Sequence, residues 1–322
     1  MRILIVTGGL TLPEVTQEEL AEIYVASGEA DIVVATSAEE AREHWPEAEV
    51  ALGALDRATF LTAKKLRWLH SVMAGADMLM FPEMVASDVL LTGEKGLVGE
   101  HLADHAFALL LALTRQLPRA FREAPAPWPS RAAMRRVMTE LSGSVMGIVG
   151  LGGTGRAVAR RAAAFGMTCL AVDVEDVPPW PGVGSVWGME RFPDLLAAAD
   201  VVTICCPLTP ASRGLFNDAA FAAMKPHAYL VNVTRGAIVD DQALVRALRE
   251  RRIAGAGLDV TPVEPLPADH LLWAMENVVI TPHTAGASQF RARRNVRRFI
   301  KNLRRYRAGQ PLEGLIDKQK GY

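Results

Sequence analysis

The sequence predicts an α/β protein with two doubly wound domains, and three observations lead to that class. Short apolar runs bounded by turn residues alternate with helix-like stretches along nearly the whole chain. This alternation is typical of parallel sheets covered by helices on both faces. A glycine-rich turn at residues 150–155 opens the second half of the series. The length of 322 residues is more than one hydrophobic core usually spans, so we expect two domains.

The first part of the chain predicts a parallel sheet of five strands. We expect these strands at residues 2–6, 31–35, 50–52, 66–72 and 89–91. Helices are expected between them at residues 13–27 and 38–44, and a longer helix at 99–117. The proline-rich stretch 118–130 follows, and we interpret it as a connector.

A second alternating series predicts a dinucleotide-binding domain. Six strands are expected at residues 145–150, 167–173, 200–206, 228–233, 254–260 and 277–281. In a sheet ordered 3-2-1-4-5-6, the second and third strands serve the adenine half of the ligand and the last three serve the nicotinamide half. We therefore expect reactive side chains after the strands that end near residues 233, 260 and 281.

Composition and charge exclude several classes of protein. Hydrophobic residues make up 50% of the chain, and 35 Lys+Arg balance 36 Asp+Glu for a net charge of −1. These values exclude a disordered or collagen-like chain and a protein that binds nucleic acid through net positive charge. Three cysteines (Cys169, Cys205 and Cys206) cannot form a disulfide framework, which favours a reducing, cytoplasmic location. The longest apolar stretch is less than half a membrane span, so we expect no membrane association.

The stretch 290–306 near the C-terminus combines an apolar face with a strongly basic one. Val296, Phe299, Ile300 and Leu303 share one face at helical spacing, and eight basic residues of this stretch, with Arg307 directly after it, occupy the rest. A nucleic-acid or membrane surface is one interpretation, and it predicts an affinity that falls steeply with salt. The neutrality of the whole chain favours the other interpretation, a solvated helix whose apolar stripe packs on the first domain.

The glycine-rich turn has the spacing of a dinucleotide-binding loop. Gly150, Gly152 and Gly155 form the G-x-G-x-x-G pattern between a predicted strand and a predicted helix, with Gly153 and Thr154 filling the variable positions. The glycines permit a tight turn and close approach to a pyrophosphate, and the helix N-terminus favours the anion. Asp173 ends the next strand, where a carboxylate accepts the ribose hydroxyls. Because no Arg follows it to receive a 2′-phosphate, we expect NAD(H) rather than NADP(H).

A cation, a carboxylate and an imidazole follow the last three predicted strands. Arg235, with its planar fork, suits a substrate carboxylate and a carbonyl that is being polarised. His283 suits protonation of the oxygen that a hydride transfer to a 2-keto acid creates. Glu264 can orient the imidazole and stabilise its protonated form. Asp259 is placed to hold the nicotinamide carboxamide.

Each of these residues also has a structural interpretation, since a single Arg, Glu or His near a strand end is commonly not catalytic. Their joint occurrence beside a dinucleotide-binding pattern favours the catalytic interpretation. His101 and His105, one helical turn apart with Asp104 between them, have a spacing that can bind a metal ion. No third ligand is near in sequence and the reaction needs no metal, so we expect none. Adjacent Cys205 and Cys206 are expected to be core residues.

The chain resembles the D-isomer-specific 2-hydroxyacid dehydrogenases over nearly its whole length. The resemblance rests on several motifs in the family's order: Asp194-Leu195-Leu196, Cys206-Pro207-Leu208-Thr209, Met224-Lys225-Pro226, Asn232-Val233-Thr234-Arg235-Gly236, Leu258-Asp259-Val260, Glu264-Pro265-Leu266-Pro267 and Thr281-Pro282-His283. The ending from Pro311 to Tyr322 is similar to the glyoxylate/hydroxypyruvate reductase side of the family. Two departures are Gly153-Thr154, where many members have Arg-Ile, and Asp104-His105, where Glu-His is usual.

The resemblance implies roles for particular residues. Arg235, Glu264 and His283 would be the catalytic set, and Asp173, Pro207, Thr209, Val233 and Asp259 would line the cofactor. The substrate carboxylate would meet backbone amides of Met73, Ala74, Gly75 and Ala76, with Leu97 on the other wall and Arg235 and His283 at the reacting end. The apolar Met73 and Leu97 favour a small or modestly apolar substrate side chain.

The resemblance also implies an organisation and an activity. A flavodoxin-like substrate domain would comprise residues 1–98 plus 290–322, and a Rossmann NAD-binding domain residues 99–289. A homodimer would form mainly through the nucleotide domains. The expected activity is hydride transfer between NAD(H) and a small D-2-hydroxy acid or 2-keto acid, such as glyoxylate or hydroxypyruvate. An NAD-sensing, corepressor-like module with little turnover is the alternative.

Overall fold

The computed structural model describes all 322 residues, which form two compact units. Unit 1 comprises residues 1–98 and 287–322, and unit 2 comprises residues 99–286. Each unit is built on one parallel β-sheet, and the predicted class of two doubly wound α/β domains is confirmed. None of the helices combines the length and the apolar character that crossing a lipid bilayer requires.

Unit 1 has a five-stranded parallel sheet in the order β2-β1-β3-β4-β5, which is the flavodoxin-like order. Its strands are β1 (Arg2–Val6), β2 (Asp31–Ala35), β3 (Val50–Gly53), β4 (Trp68–Ser71) and β5 (Leu90–Thr92). Its helices are α1 (Gln17–Ser27), α2 (Ala38–Ala41), α3 (Arg57–Thr62), α4 (Pro82–Ala86) and the long C-terminal helix Arg291–Arg307, which we call the basic helix.

Successive residues of the unit 1 strands enter two separate cores. Ile3 and Ile5 of β1 belong to one core, whereas Leu4 between them belongs to the other. Side chains of a strand alternate between the two faces of the sheet, so both faces are covered by helices. The apolar stripe of the basic helix lies in the first core, where Phe299 and Leu303 are fully buried. This confirms the expected packing of that helix on the first domain.

A buried histidine in unit 1 predicts a loss of stability in acid. His70 of β4 is fully buried, its Nδ1 lies 2.8 Å from Thr92 Oγ1, and burial together with the charge of Arg298 lowers its pKa from 6.5 to about 3. The unfolded chain binds a proton at the His70 ring more readily than the folded protein does. The contribution of the neutral ring to folding stability is therefore complete above pH 6.5 and is lost as the pH falls towards 3. Lowering the pH from about 7.5 to about 5 should remove about 2 kcal/mol of unfolding free energy through this group.

Urea denaturation at the two pH values measures this effect. In His70→Gln, which has no titrating ring, the acid-induced loss should be smaller than in the native protein by about that amount. His227→Gln removes an exposed imidazole of unit 2 and serves as the matched control. Equal acid-induced losses in the native protein and His70→Gln would contradict the assignment.

Unit 2 contains a seven-stranded parallel sheet in the order β12-β11-β10-β9-β6-β7-β8. Its strands are β6 (Val145–Val149), β7 (Thr168–Val172), β8 (Val183–Trp187), β9 (Val201–Ile204), β10 (Tyr229–Asn232), β11 (Gly255–Leu258) and β12 (Val278–Ile280). When β6 is numbered 1 and the later strands are numbered along the chain, the order read from the β8 edge is 3-2-1-4-5-6, which is the Rossmann order. One further strand, β12, lies at the other edge.

The expectation of six strands is wrong because β8 was missed. This edge strand has the sequence Val-Gly-Ser-Val-Trp, it is not fully buried anywhere, and its pairing with β7 is irregular at Cys169/Leu170. A glycine inside a short, half-exposed strand removes the apolar run on which sequence prediction depends. As a consequence β9, which was expected on the adenine side, pairs with β6 on the nicotinamide side.

Unit 2 contains seven α-helices, and the first two of them begin within the predicted long helix 99–117. They are α5 (Gly99–Thr114), α6 (Leu117–Arg122), α7 (Arg131–Val137), α8 (Gly153–Ala164), α9 (Phe192–Ala198), α10 (Asp218–Ala223) and α11 (Asp241–Arg249). The stretch 118–130 is therefore not a plain connector, because most of α6 lies in it. Pro118 did not prevent this helix, since proline is tolerated in the first turn, where its missing N–H has no partner anyway.

Candidate active site

The glycine-rich turn joins β6 to α8 and has the shape that a pyrophosphate requires. Gly150 has φ 95°, and a Cβ on it would lie 2.8 Å from the Cα of Cys206. A Cβ on Gly155 would lie 2.1 Å from the carbonyl oxygen of Gly150, so both positions exclude a side chain. A Cβ on Gly152 would meet open space beside the N-terminus of α8. Exposed amides at a helix N-terminus and a bare backbone fit a dinucleotide phosphate.

Asp173 follows β7 and contacts the same turn. Its Oδ2 accepts the N–H of Leu151 at 2.6 Å, and its Oδ1 accepts the N–H of Glu175 at 2.9 Å. The carboxylate is thus fixed at the carboxyl end of β7 next to the glycine-rich turn, where a ribose would lie in this fold. Thr154 is nearly buried in the first turn of α8.

The segment after β9 is shaped by a serine that sequence reasoning missed. Ser212 Oγ donates to the carbonyl of Pro207 at 2.7 Å and accepts the N–H of Thr209 at 2.8 Å. The Thr209 hydroxyl accepts the N–H of Ser212 in return. These bonds hold Pro207 and Thr209 in a compact turn beside Gly150, which packs on Cys206. Val233, after β10, is buried.

Glu264 and His283 form a hydrogen-bonded pair. Glu264 Oε2 lies 2.7 Å from Nδ1 of the imidazole, and its Oε1 accepts the N–H of Thr261 at 3.1 Å. Because Nδ1 is engaged, Nε2 is the ring nitrogen left for a substrate. His283 has φ 53°, a left-handed conformation that is uncommon for a residue other than Gly, and its N–H donates to the carbonyl of Asp259 at 2.8 Å. Strained residues held by their surroundings are typical of functional sites.

Arg235 follows β10, the strand beside β11, and two further residues shape its turn. Asn232, fully buried at the end of β10, donates from Nδ2 to the carbonyl of Arg235 at 2.9 Å, and its Oδ1 accepts the N–H of Thr234. A Cβ on Gly236 would lie 2.0 Å from the carbonyl oxygen of Thr261. Glycine is therefore required where the arginine turn packs against the loop that carries Glu264.

The positions of Asn232 and Gly236 had a partial signal in the sequence. An Asn at a strand end and a Gly after it are typical of a side-chain-supported turn. Their contacts with the neighbouring strand's loop could not be predicted, because they depend on how β10 and β11 lie in the sheet. The structure brings the arginine turn and the Glu264–His283 pair to one edge of the unit 2 sheet.

Asp259 is fully buried and serves the loop of His283. Its Oδ1 accepts the Thr281 hydroxyl at 2.7 Å and the N–H of Thr284 at 2.8 Å, and its Oδ2 accepts the N–H of Ala285 at 2.9 Å. Burial raises the pKa of Asp259, but hydrogen bonds from His105, Thr281 and the two amides outweigh it and hold the pKa below its ordinary value. The carboxylate thus holds the turn after β12 in place, and its contact with a nicotinamide carboxamide stays a prediction.

His105, one of the two histidines considered for a metal, has other contacts. His105 Nε2 lies 2.7 Å from the Thr281 hydroxyl, so α5 supports the turn beneath His283. Asp104 pairs with Arg161 at 2.6 Å. No group of three or more His, Cys, Asp or Glu side chains is arranged to hold a metal ion. The three cysteines are free, and burial raises the pKa of Cys206 to about 12 and that of Cys169 to about 11.

The predicted substrate loop lies in unit 1, directly after β4. The backbone N–H groups of Ala74, Gly75 and Ala76 donate to no acceptor of the protein, whereas the N–H of Met73 donates to the Ser71 hydroxyl at 3.2 Å. Successive unpaired amides in a turn are a common way of binding a carboxylate. Leu97 lies in the segment after β5, and its N–H donates to the carbonyl of Glu94 at 2.7 Å.

Comparison with known proteins assigns the chain to a family. A model of the D-isomer specific 2-hydroxyacid dehydrogenase NAD binding domain matches residues 107–285. The glyoxylate reductase of Korarchaeum cryptofilum is 36% identical over 82% of this chain and 80% of its own.

Two solved structures agree with this assignment. One is a D-isomer specific 2-hydroxyacid dehydrogenase family protein of Aeromonas salmonicida, with 30% identity, coverage of 98% of this chain and 99% of that one, and a TM-score of 0.79. The other, from Xanthobacter autotrophicus Py2 in complex with NADPH and MES, is 28% identical over 99% of both chains with a TM-score of 0.80. The chain belongs to the D-isomer specific 2-hydroxyacid dehydrogenase family.

Proposed function

We propose that this chain reduces a small 2-keto acid, such as glyoxylate or hydroxypyruvate, to a D-2-hydroxy acid with NADH, and catalyses the reverse oxidation with NAD. The observation that carries the proposal is the 2.7 Å pairing of Glu264 with His283 at the sheet edge that also carries the dinucleotide-binding turn. The name of the Korarchaeum relative, glyoxylate reductase, supports the choice of substrate class.

The Glu264–His283 pair supplies the proton that the reduction needs. A bound NADH would supply the hydride for the keto carbon. The keto oxygen then gains a negative charge and takes the proton from Nε2 of a protonated His283. Because Glu264 is bonded to Nδ1, its charge stabilises the imidazolium and its position keeps Nε2 free. In the reverse direction the neutral imidazole accepts the proton of the hydroxyl group.

Arg235 supplies the fixed positive charge for the substrate. A guanidinium can bind a carboxylate through two parallel hydrogen bonds and can also polarise a neighbouring carbonyl. The bond from Asn232 and the contact of Gly236 with Thr261 hold the turn that presents it. Within unit 1, the unpaired amides of Ala74, Gly75 and Ala76 are the groups that we propose for a substrate carboxylate.

The cofactor is assigned as NAD(H). Asp173 contacts the glycine-rich turn, and we place the ribose there; Glu175 and Asp176 follow it, so this part of the chain is negatively charged. Negative charge there disfavours the 2′-phosphate of NADP and suits the free hydroxyls of NAD. The Xanthobacter protein was solved with NADPH, which makes a direct comparison of the two cofactors part of the test.

We also propose that the chain forms a homodimer through unit 2. Phe121 of α6 and Trp128 just after it have exposed fractions of 74% and 76%. Large apolar side chains this exposed on neighbouring segments are typical of protein interfaces.

The three free cysteines are consistent with a reducing, cytoplasmic compartment.

Steady-state assays test the proposed function. Glyoxylate, hydroxypyruvate and pyruvate are each offered with NADH and, separately, with NADPH, and loss of the reduced cofactor is followed. We expect turnover of at least one acid, with kcat/KM higher for NADH. Turnover with NADPH alone would contradict the cofactor assignment. Binding of NADH without turnover of any acid would contradict the enzyme and favour a sensing module.

A further inference from the structure

The basic helix contacts the predicted substrate wall through three of its arginines. Arg291 binds the carboxylate of Glu94 with both ends of its fork, at 2.8 Å from Nε to Oε1 and 2.5 Å from Nη2 to Oε2. Arg294 donates to the carbonyl of Leu97 at 3.3 Å, and Arg298 donates to the carbonyl of Lys95 at 2.9 Å. One helix face therefore holds the whole segment 94–97 after β5.

The Arg291–Glu94 pair is largely buried, and both carboxylate oxygens of Glu94 accept hydrogen bonds. The Glu94 side chain has no exposed surface and that of Arg291 is 16% exposed. Asn295, one helical turn after Arg291, donates from Nδ2 to Glu94 Oε1 at 2.6 Å. Burying a charge is unfavourable unless it is paired and hydrogen-bonded. Such a pair needs a close fit, which makes it suited to fixing the position of the backbone that carries it.

The same guanidinium also reaches the other predicted substrate loop. Arg291 Nη2 lies 3.4 Å from the carbonyl oxygen of Val72, the residue directly before the loop 73–76. The two loops approach each other closely, since a Cβ on Gly93 would lie 3.7 Å from the carbonyl oxygen of Ser71 and 4.0 Å from that of Met73. The buried pair thus stands at the base of both loops.

We propose that Arg291 and Glu94 are positioning residues that hold the loops 73–76 and 94–97 in the arrangement that binds the substrate carboxylate. The inference rests on the proposed function, to which it adds residues that do not touch the substrate. It also gives the basic helix a role: three of its arginines organise the substrate site of the same unit.

Arg291→Lys tests the proposal, because lysine keeps the charge and loses the planar fork. We expect the KM of the keto acid to rise about tenfold, since small displacements of positioning groups weaken substrate binding strongly. The inhibition constant of oxamate, a 2-keto acid analogue with a carboxylate, should rise by the same factor. The KM of NADH and the turnover of methylglyoxal, which has no carboxylate, should stay at native values.

Two further variants separate positioning from general loss of stability. The double variant Glu94→Gln/Arg291→Gln leaves no unpaired buried charge and should reproduce the effect of Arg291→Lys on the keto acid. Arg293→Lys, an exposed position of the same helix without a contact to either loop, is the matched control and should keep native constants. A keto acid KM that stays native in Arg291→Lys, or an NADH KM that rises in parallel, would overturn the proposal.

Hydrogen exchange of the loop amides gives a readout that does not depend on turnover. Exchange at the N–H groups of Met73 and Leu97, which are hydrogen-bonded within the two loops, should be faster in Arg291→Lys than in Arg293→Lys. Equal exchange in the two variants would overturn the positioning role whether or not the protein turns over a keto acid. Faster exchange in Arg291→Lys, together with a native protein that turns over no 2-keto acid, would support the positioning role and contradict the proposed function.

Discussion

Replacing His283 by Gln should lower kcat for reduction of the keto acid by about a thousandfold at neutral pH, the middle of the range for a lost general acid. The variant side chain can still form a hydrogen bond with Glu264, but it has no proton to give to the keto oxygen. Binding of NADH, measured by fluorescence titration, should stay within about twofold of native, because the loss concerns only the transition state.

His270→Gln is the matched control for that substitution. His270 also pairs with a carboxylate, since its Nε2 lies 3.0 Å from Asp241 Oδ2, but we give it no part in the reaction. The control should keep a kcat close to native. If His283→Gln retains more than about a tenth of the native kcat, a general-acid role worth at least a hundredfold is contradicted.

The fold was predictable where strands are buried and continuous. All five strands of unit 1 lie within two residues of their predicted bounds, because an apolar run between turn residues is a strong signal. Edge strand β8 gave no such run, and α6 begins with a proline that suggested a connector. Both errors concern half-exposed segments, whose structure is decided by tertiary contacts more than by local sequence.

The candidate site was predictable in its reactive groups and not in their supports. Arg235, Glu264 and His283 stand after separate strands, and parallel topology brings strand ends to one edge. The supporting contacts join distant parts of the chain: His105 meets Thr281 across 176 positions. Nothing in a linear pattern predicts such pairs, since they follow from the packing of helix on sheet.

Replacing Glu264 by Gln should slow reduction of the keto acid. Gln has the size of Glu and can still accept the proton of Nδ1, so the imidazole should keep its orientation and lose only the neighbouring charge. That charge stabilises the imidazolium that gives its proton to the substrate. The variant should therefore lose between about tenfold and a hundredfold in kcat/KM at neutral pH.

Asp241→Asn, which neutralises the acid of the His270 pair, is the matched control and should keep a native kcat/KM. Glu264→Gln should cause no further loss when it is added to His283→Gln, since the carboxylate acts through the imidazole. Equal losses from Glu264→Gln in the native protein and in His283→Gln would instead indicate a general loss of activity.

The central claim is that the carboxylate of Glu264 acts through the imidazole of His283 on the proton delivered to the substrate. The kcat/KM for keto acid reduction, compared between His283→Gln and the double variant Glu264→Gln/His283→Gln, tests it most directly. We predict equal values in the two variants, because the carboxylate has no effect without the imidazole. A double variant that loses a further factor of about ten or more would contradict the claim.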